Sequence, residues 1–135
     1  MHNTLETLII QSEVANISLV ERLIDDISAK YQLHDDVYGK ILLAVVEGVN
    51  NAIVHGNKLD SLKLVSIQYI VNEEFIEFVI MDEGQGFDLN TIPDPTKPEN
   101  IEKTHGRGVF LMNHLADEIQ FLDGGNKVSM KFNLL

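Results

Sequence analysis

Hydrophobic positions along the chain switch between the period of strands and the period of helices. Thr4 to Ile10 is short and rich in leucine and β-branched residues, which predicts an opening strand. From Val14 to Lys30, Ile17, Val20, Ile24 and Ile27 recur at helical spacing with Glu21, Arg22, Asp25 and Asp26 between them, predicting an amphipathic helix. Asp35 and Asp36 offer an N-terminal cap to a second helix, and Gly56 a stop near position 57. That helix is apolar nearly all round, through Val37, Ile41, Leu42, Leu43, Val45, Val46, Val49, Ala52, Ile53 and Val54, as expected of one buried between other elements.

Leu62 to Val71 and Phe75 to Asp82 then read as strands joined by an Asn72-Glu73-Glu74 turn. Gly84 to His105 has no usable period and contains three prolines, more than an idle connection needs, so it reads as a lid. Arg107 to Ala116 returns to helical spacing, and Glu118 to Asp123 with Val128 to Leu134 forms a closing hairpin across Gly124-Gly125. The order predicts an α+β fold: a two-layer α/β sandwich in which a mixed, mostly antiparallel sheet is covered by helices on one face.

A length of 135 residues matches one domain, 1–135, and 44% hydrophobic residues suffice for a core. The 21 acidic residues against 10 basic ones give a net charge of −11, the wrong sign for direct nucleic-acid or anionic-membrane partners. With no cysteine, disulfides, thiolate zinc sites and thiol nucleophiles are excluded. No signal peptide is recognisable, and no stretch reads as the ~20 apolar residues that cross a bilayer, so a cytoplasmic location is expected.

Three polar sites interrupt this pattern. Glu47 lies within the apolar helix, Asn51 lies one turn later on the same stripe, and Asn50 is close by. Either Glu47 is held in a structural ion pair, or the helix presents a carboxylate and a carboxamide to a cavity. Asp82 continues the inward face of Ile76, Phe78 and Ile80 and precedes Gly84 and Gly86; it either makes an Asx turn or accepts an exocyclic amine. Gly106-Arg107-Gly108 opens a helix near Lys97 and Lys103, where backbone N–H groups and the helix dipole favour anions. Together they suggest an amine acceptor, a metal-bearing helix and a phosphate cradle. His55 reads as an imidazole meeting helix-terminal carbonyls.

The segments 47–57 (Glu47 to Asn57), 82–87 (Asp82 to Phe87) and 106–112 (Gly106 to Met112) resemble the N, G1 and G2 boxes of the GHKL ATP-binding superfamily, and within it the bacterial anti-sigma factor serine/threonine kinases. The resemblance implies ATP and Mg²⁺ as cofactors. It implies Glu47 as general base, Asn51 as Mg²⁺ ligand with Asn50 beside it, Asp82 as acceptor of the adenine amine, and Gly84 and Gly86 beneath the base. Lys97, Lys103, Gly106, Arg107 and Gly108 would serve the phosphates, with the lid at about 84–105. Thr104 stands where a basic residue is frequent, and Asn126 where a threonine is usual. The implied partners are a sigma factor, which the protein sequesters, and a STAS-domain anti-anti-sigma protein, which it phosphorylates; the protein itself would be a homodimer. The alternative is a partner-binding module, nucleotide-gated or nucleotide-independent, without kinase activity.

Overall fold

The structure, a computed structural model, describes residues 4–84 and 104–134; the side chains of Thr4 and of residues 104–107 are outside that description. Strand β1 (Thr4–Gln11) leads through a short 3₁₀ turn to α1 (Ile17–Tyr31), then α2 (Asp35–Asn51), which continues as a π-helical turn over Ala52–Gly56. Strands β2 (Leu64–Val71) and β3 (Phe75–Met81) form a hairpin, α3 spans Thr104–Leu115, and β4 (Glu118–Leu122) and β5 (Lys127–Asn133) close the chain.

The five strands form one sheet in the order β1-β2-β3-β5-β4. All four pairings are antiparallel, where the sequence pattern allowed a mixed sheet. Register aligns the apolar alternation of each strand into rows: Ile67, Ile80, Val128 and Phe121 in one, Tyr69, Phe78, Met130 and Ile119 in the next. That face carries the helices. The opposite face leaves Leu5, Ile9, Leu64, Met81 and Leu122 exposed.

Helix α2 is the centre of the helical layer and packs on α1, on α3 and on the sheet. Ile41, Ala44, Val45 and Val49 are fully buried, joining Ile24 and Val20 of α1 and Ile76, Phe78 and Phe132 of the sheet. Gly48 permits this closeness, since a Cβ there would lie 2.7 Å from Ile80 Cδ1. The helix is not covered on every side that is apolar: Leu43 is exposed. Residues 35–56 are also long and apolar enough, at mean hydropathy 1.4, to cross a membrane by length and composition, contrary to the sequence expectation. Their burial against sheet and helices is that of a core helix.

The start of α2 differs from expectation. His34 is its N-cap, with extended backbone and Nδ1 accepting from the Asp36 amide at 3.2 Å. Asp35 and Asp36 are already in the first turn, where their charges complement the dipole. At the other end the Asn57 amide donates to Ala52 O at 2.8 Å, closing the wider π turn, and the helix stops as Gly56 suggested.

Candidate functional site

The π turn, the end of β3 and the start of β5 line one cavity with α3, and the fully buried Asn57 side chain ties the turn to the strand ends behind it. Its Nδ2 donates to Ser12 Oγ at 2.7 Å and to Leu64 O at 3.0 Å, and its Oδ1 accepts from the Glu83 amide at 2.8 Å. Ser12 Oγ in turn donates to Lys63 O at 2.7 Å. The ends of β1, β2 and β3 are thereby fixed behind the turn.

In front lies a cavity of about 200 Å³, lined by Gly48, Asn51, Ala52, His55, Gly56, Ile80, Asp82, Met112, Phe121, Asn126 and Val128. This is below the ~300–1,000 Å³ of drug-sized sites and suits one flat heteroaromatic ring rather than a whole nucleotide. Ile80, Met112, Phe121 and Val128 form apolar walls, and Asn51, His55, Asp82 and Asn126 supply the polar groups.

Asp82 makes the Asx turn of one sequence reading and, as its strand period implied, turns its side chain to the cavity. Its Oδ1 accepts from the Gly84 amide at 2.7 Å, an Asx turn, while its side chain faces the cavity. Burial pushes its carboxyl above the ordinary 3.8, against the opposing pull of the Gly84 amide and the Lys63 charge. The glycines around it are required by space rather than by positive φ. A Cβ on Gly56 would lie 2.4 Å from Asp82 Oδ2, and one on Gly84 would lie 2.0 Å from Gly56 O.

Asn51 is 8% exposed, and among the described residues neither its Oδ1 nor its Nδ2 has a hydrogen-bond partner. Few buried amides in native proteins are left so. A Cβ built on Gly108 would stand 3.0 Å from Asn51 Nδ2, 3.1 Å from Glu47 Oε2 and 3.2 Å from Asn51 Oδ1. One point on α3 is thus bounded by the carboxylate and the carboxamide that the helical spacing placed together. Glu47 is half-buried, and among the described residues it makes no ion pair, so the structural-pair reading finds no partner there.

Asn50 is half-buried and is not among the cavity residues. Gly106 and Arg107 fall in the first turn of α3. The Arg107 side chain, Gly86, Lys97, Lys103 and nearly all of the lid segment lie outside the described residues. His55, read as a helix-end imidazole, lines the cavity, and burial lowers its pKa. No cluster of metal-ligating His, Cys, Asp or Glu occurs among the described residues. The cavity residues that patterning missed are Phe121, Val128 and Met112, which look like ordinary core; Asn126 had only its departure from the family's threonine to mark it.

A family model described as the histidine kinase-like ATPase domain matches residues 10–132. The chain belongs to that family. Among its similar members is the serine-protein kinase RsbW of Bacillus licheniformis, 29% identical over 121 residues, which covers 84% of this chain and 76% of the relative. RsbW of Staphylococcus aureus is 33% identical over 96 residues, 65% of this chain and 60% of the relative. A crystal structure of the RsbU and RsbW domains of a Mycobacterium tuberculosis protein superposes with a TM-score of 0.67 at 14% identity. It covers 96% of this chain, which spans only 32% of that longer one, and the likeness shows the shared fold. In this ATPase-domain fold the cavity, Asn51 and Gly108 are the candidate nucleotide site.

Proposed function

We propose that the chain is an ATP-dependent protein serine/threonine kinase and anti-sigma factor. In this reading it acts in the cytoplasm as a homodimer, sequesters a sigma factor, and phosphorylates a STAS-domain anti-anti-sigma protein. The observation that carries the reading is the buried, unpartnered carboxamide of Asn51, set against Glu47 and Gly108 at the edge of the cavity that holds Asp82. The similarity to proteins named serine-protein kinase supports the same assignment.

These residues fit the cofactors. Mg²⁺ takes oxygen ligands, keeps several waters and needs few protein donors beside nucleotide phosphates, and Asn51 Oδ1 is a buried oxygen without a partner. Asp82 accepts the adenine amine between the apolar walls, and Asn51 holds the metal. The absent side chain of Gly108 lets the α3 backbone approach both Asn51 and Glu47, and Gly106, Arg107, Gly108, Lys97 and Lys103 would serve the phosphates. When bound, Mg-ATP supplies an electrophilic γ-phosphoryl group with its charge partly neutralised. Glu47 would take the proton given up by the serine or threonine hydroxyl onto its carboxylate.

A binding module without catalysis would use Asp82 and Asn51 but has no task for Glu47. Labelled Mg-ATP incubated with the protein and the STAS-type proteins of its source separates the two. Glu47→Gln should bind Mg-ATP as the wild type does and transfer phosphate about 10²–10⁴-fold more slowly. Transfer at the wild-type rate would remove Glu47 as base; binding without transfer by the wild type would favour the module.

A further inference from the structure

Asp82 and Asn126 are cross-strand neighbours. The β3–β5 register pairs Met81 with Lys127, and the Asp82 amide donates to Asn126 O at 2.9 Å, carrying the ladder one step past the strands. Such neighbours hold their Cβ atoms about 4.5–5.5 Å apart on one face. Both side chains line the cavity. The position of Asn126 is set by the tight turn before it, in which Asp123, Gly124 and Gly125 have φ of 52°, 71° and 99°. Its Oδ1 is buried and has no hydrogen-bond partner among the described residues. Two oxygen acceptors therefore stand side by side on the cavity wall, and one of them lacks a donor among the described residues.

We propose that Asn126 is a specificity-determining residue that joins Asp82 in accepting both hydrogens of one exocyclic amine, so that the site selects an unsubstituted 6-aminopurine. The inference rests on the nucleotide reading of the cavity and adds to it a second reader of the base. A 6-oxopurine turns an acceptor toward two acceptors. An N6-alkylated purine has one hydrogen too few and brings a methyl group to a buried amide oxygen. Sites built around a hydrogen bond reject analogues that lack it far better than apolar pockets reject size.

The test is calorimetric titration of Mg-ATP, Mg-N6-methyl-ATP and Mg-ITP into the full chain, as wild type and as Asn126→Ala. The wild type should bind ATP at least about 10-fold more tightly than N6-methyl-ATP. In Asn126→Ala that gap should close to within about 3-fold, while ITP stays weak because Asp82 still faces its oxygen. Without nucleotide the variant should unfold no earlier than the wild type, because the oxygen removed had no partner. Asn126→Leu, branched alike but without an acceptor, replaces it if the alanine variant does not fold. An unchanged ratio of ATP to N6-methyl-ATP in both variants overturns the role of Asn126 and leaves the nucleotide site standing. Failure of the wild type to bind any of the three overturns both.

Discussion

Gly108→Ala isolates the site from the stability of the fold. In a helix interior alanine is favoured over glycine by about 1 kcal/mol. Against this, the new Cβ would stand 3.0 Å from Asn51 Nδ2 and 3.1 Å from Glu47 Oε2, so these groups must yield by a few tenths of an ångström. Glu47 is half-buried and can swing outward; Asn51, at 8% exposure, has little room. The two effects nearly offset, leaving the apo protein between unchanged and about 1 kcal/mol more stable, a rise in Tm of at most about 4 °C. The cost falls on function, because small misplacements of positioned groups reduce rates by about 10²-fold. Scanning calorimetry without nucleotide, together with Mg-ATP titration and a phosphotransfer assay, gives both quantities. Wild-type affinity and transfer in a folded Gly108→Ala would refute the placement of phosphate beside Gly108. A fall in Tm of more than about 5 °C would instead make Gly108 a packing requirement.

Asp82→Asn should abolish nucleotide binding yet stabilise the apo protein at neutral pH. Burial raises the Asp82 pKa, so its favourable contribution to folding is full below the ordinary 3.8 and is lost as pH rises through the folded value, where the native chain must hold the charge. The variant's advantage in chemical unfolding should be present at pH 7 and fade toward pH 3; a variant less stable at both would mean that the Gly84 hydrogen bond outweighs burial. Gly84→Ala should destabilise by about 3 kcal/mol, since its Cβ would meet the Gly56 carbonyl at 2.0 Å and backbone cannot turn aside as a side chain can. An unfolding midpoint equal to that of the wild type would show that the two segments separate freely.

The elements were legible where periodicity was strong, as in β3, whose alternation Ile76, Phe78, Ile80 also carried Asp82 correctly into the cavity. The 47/51 pairing on α2 was legible for the same reason, because helical spacing alone puts both side chains on one stripe. Adjacency in sequence does not carry Asn50 to the same place, because the 100° turn from Asn51 takes it off the cavity wall. What depended on tertiary neighbours was not readable. Gly56 looked like a helix stop, but its hydrogen is also what admits the Asp82 carboxylate. The π turn rests on one bond from Asn57 to Ala52, which no composition announces, and a histidine cap lies outside the usual Ser, Thr, Asp and Asn preference. Hydropathy over 35–56 equally could not distinguish a spanning helix from a core one, since both have the same residues and differ only in what covers them.

Two asparagines close together in the chain show how this fold treats its interior polar groups. Asn57 is fully buried, and its amide is engaged by Ser12, Leu64 and Glu83, joining three strand ends. Asn51, almost as deeply buried, has neither atom engaged among the described residues, and Asn126 Oδ1 on the same cavity is in the same condition. Desolvation penalises all three alike, at about 1–3 kcal/mol for each group left unmatched. A scaffold that satisfies Asn57 fully has the means to satisfy its neighbours, so the unmatched groups belong with the raised carboxyl of Asp82 as local costs confined to one cavity. A ligand offering a metal-ready phosphate edge to Asn51 and an amine to Asp82 and Asn126 removes those costs together, and nucleotide binding is then also a gain in fold stability.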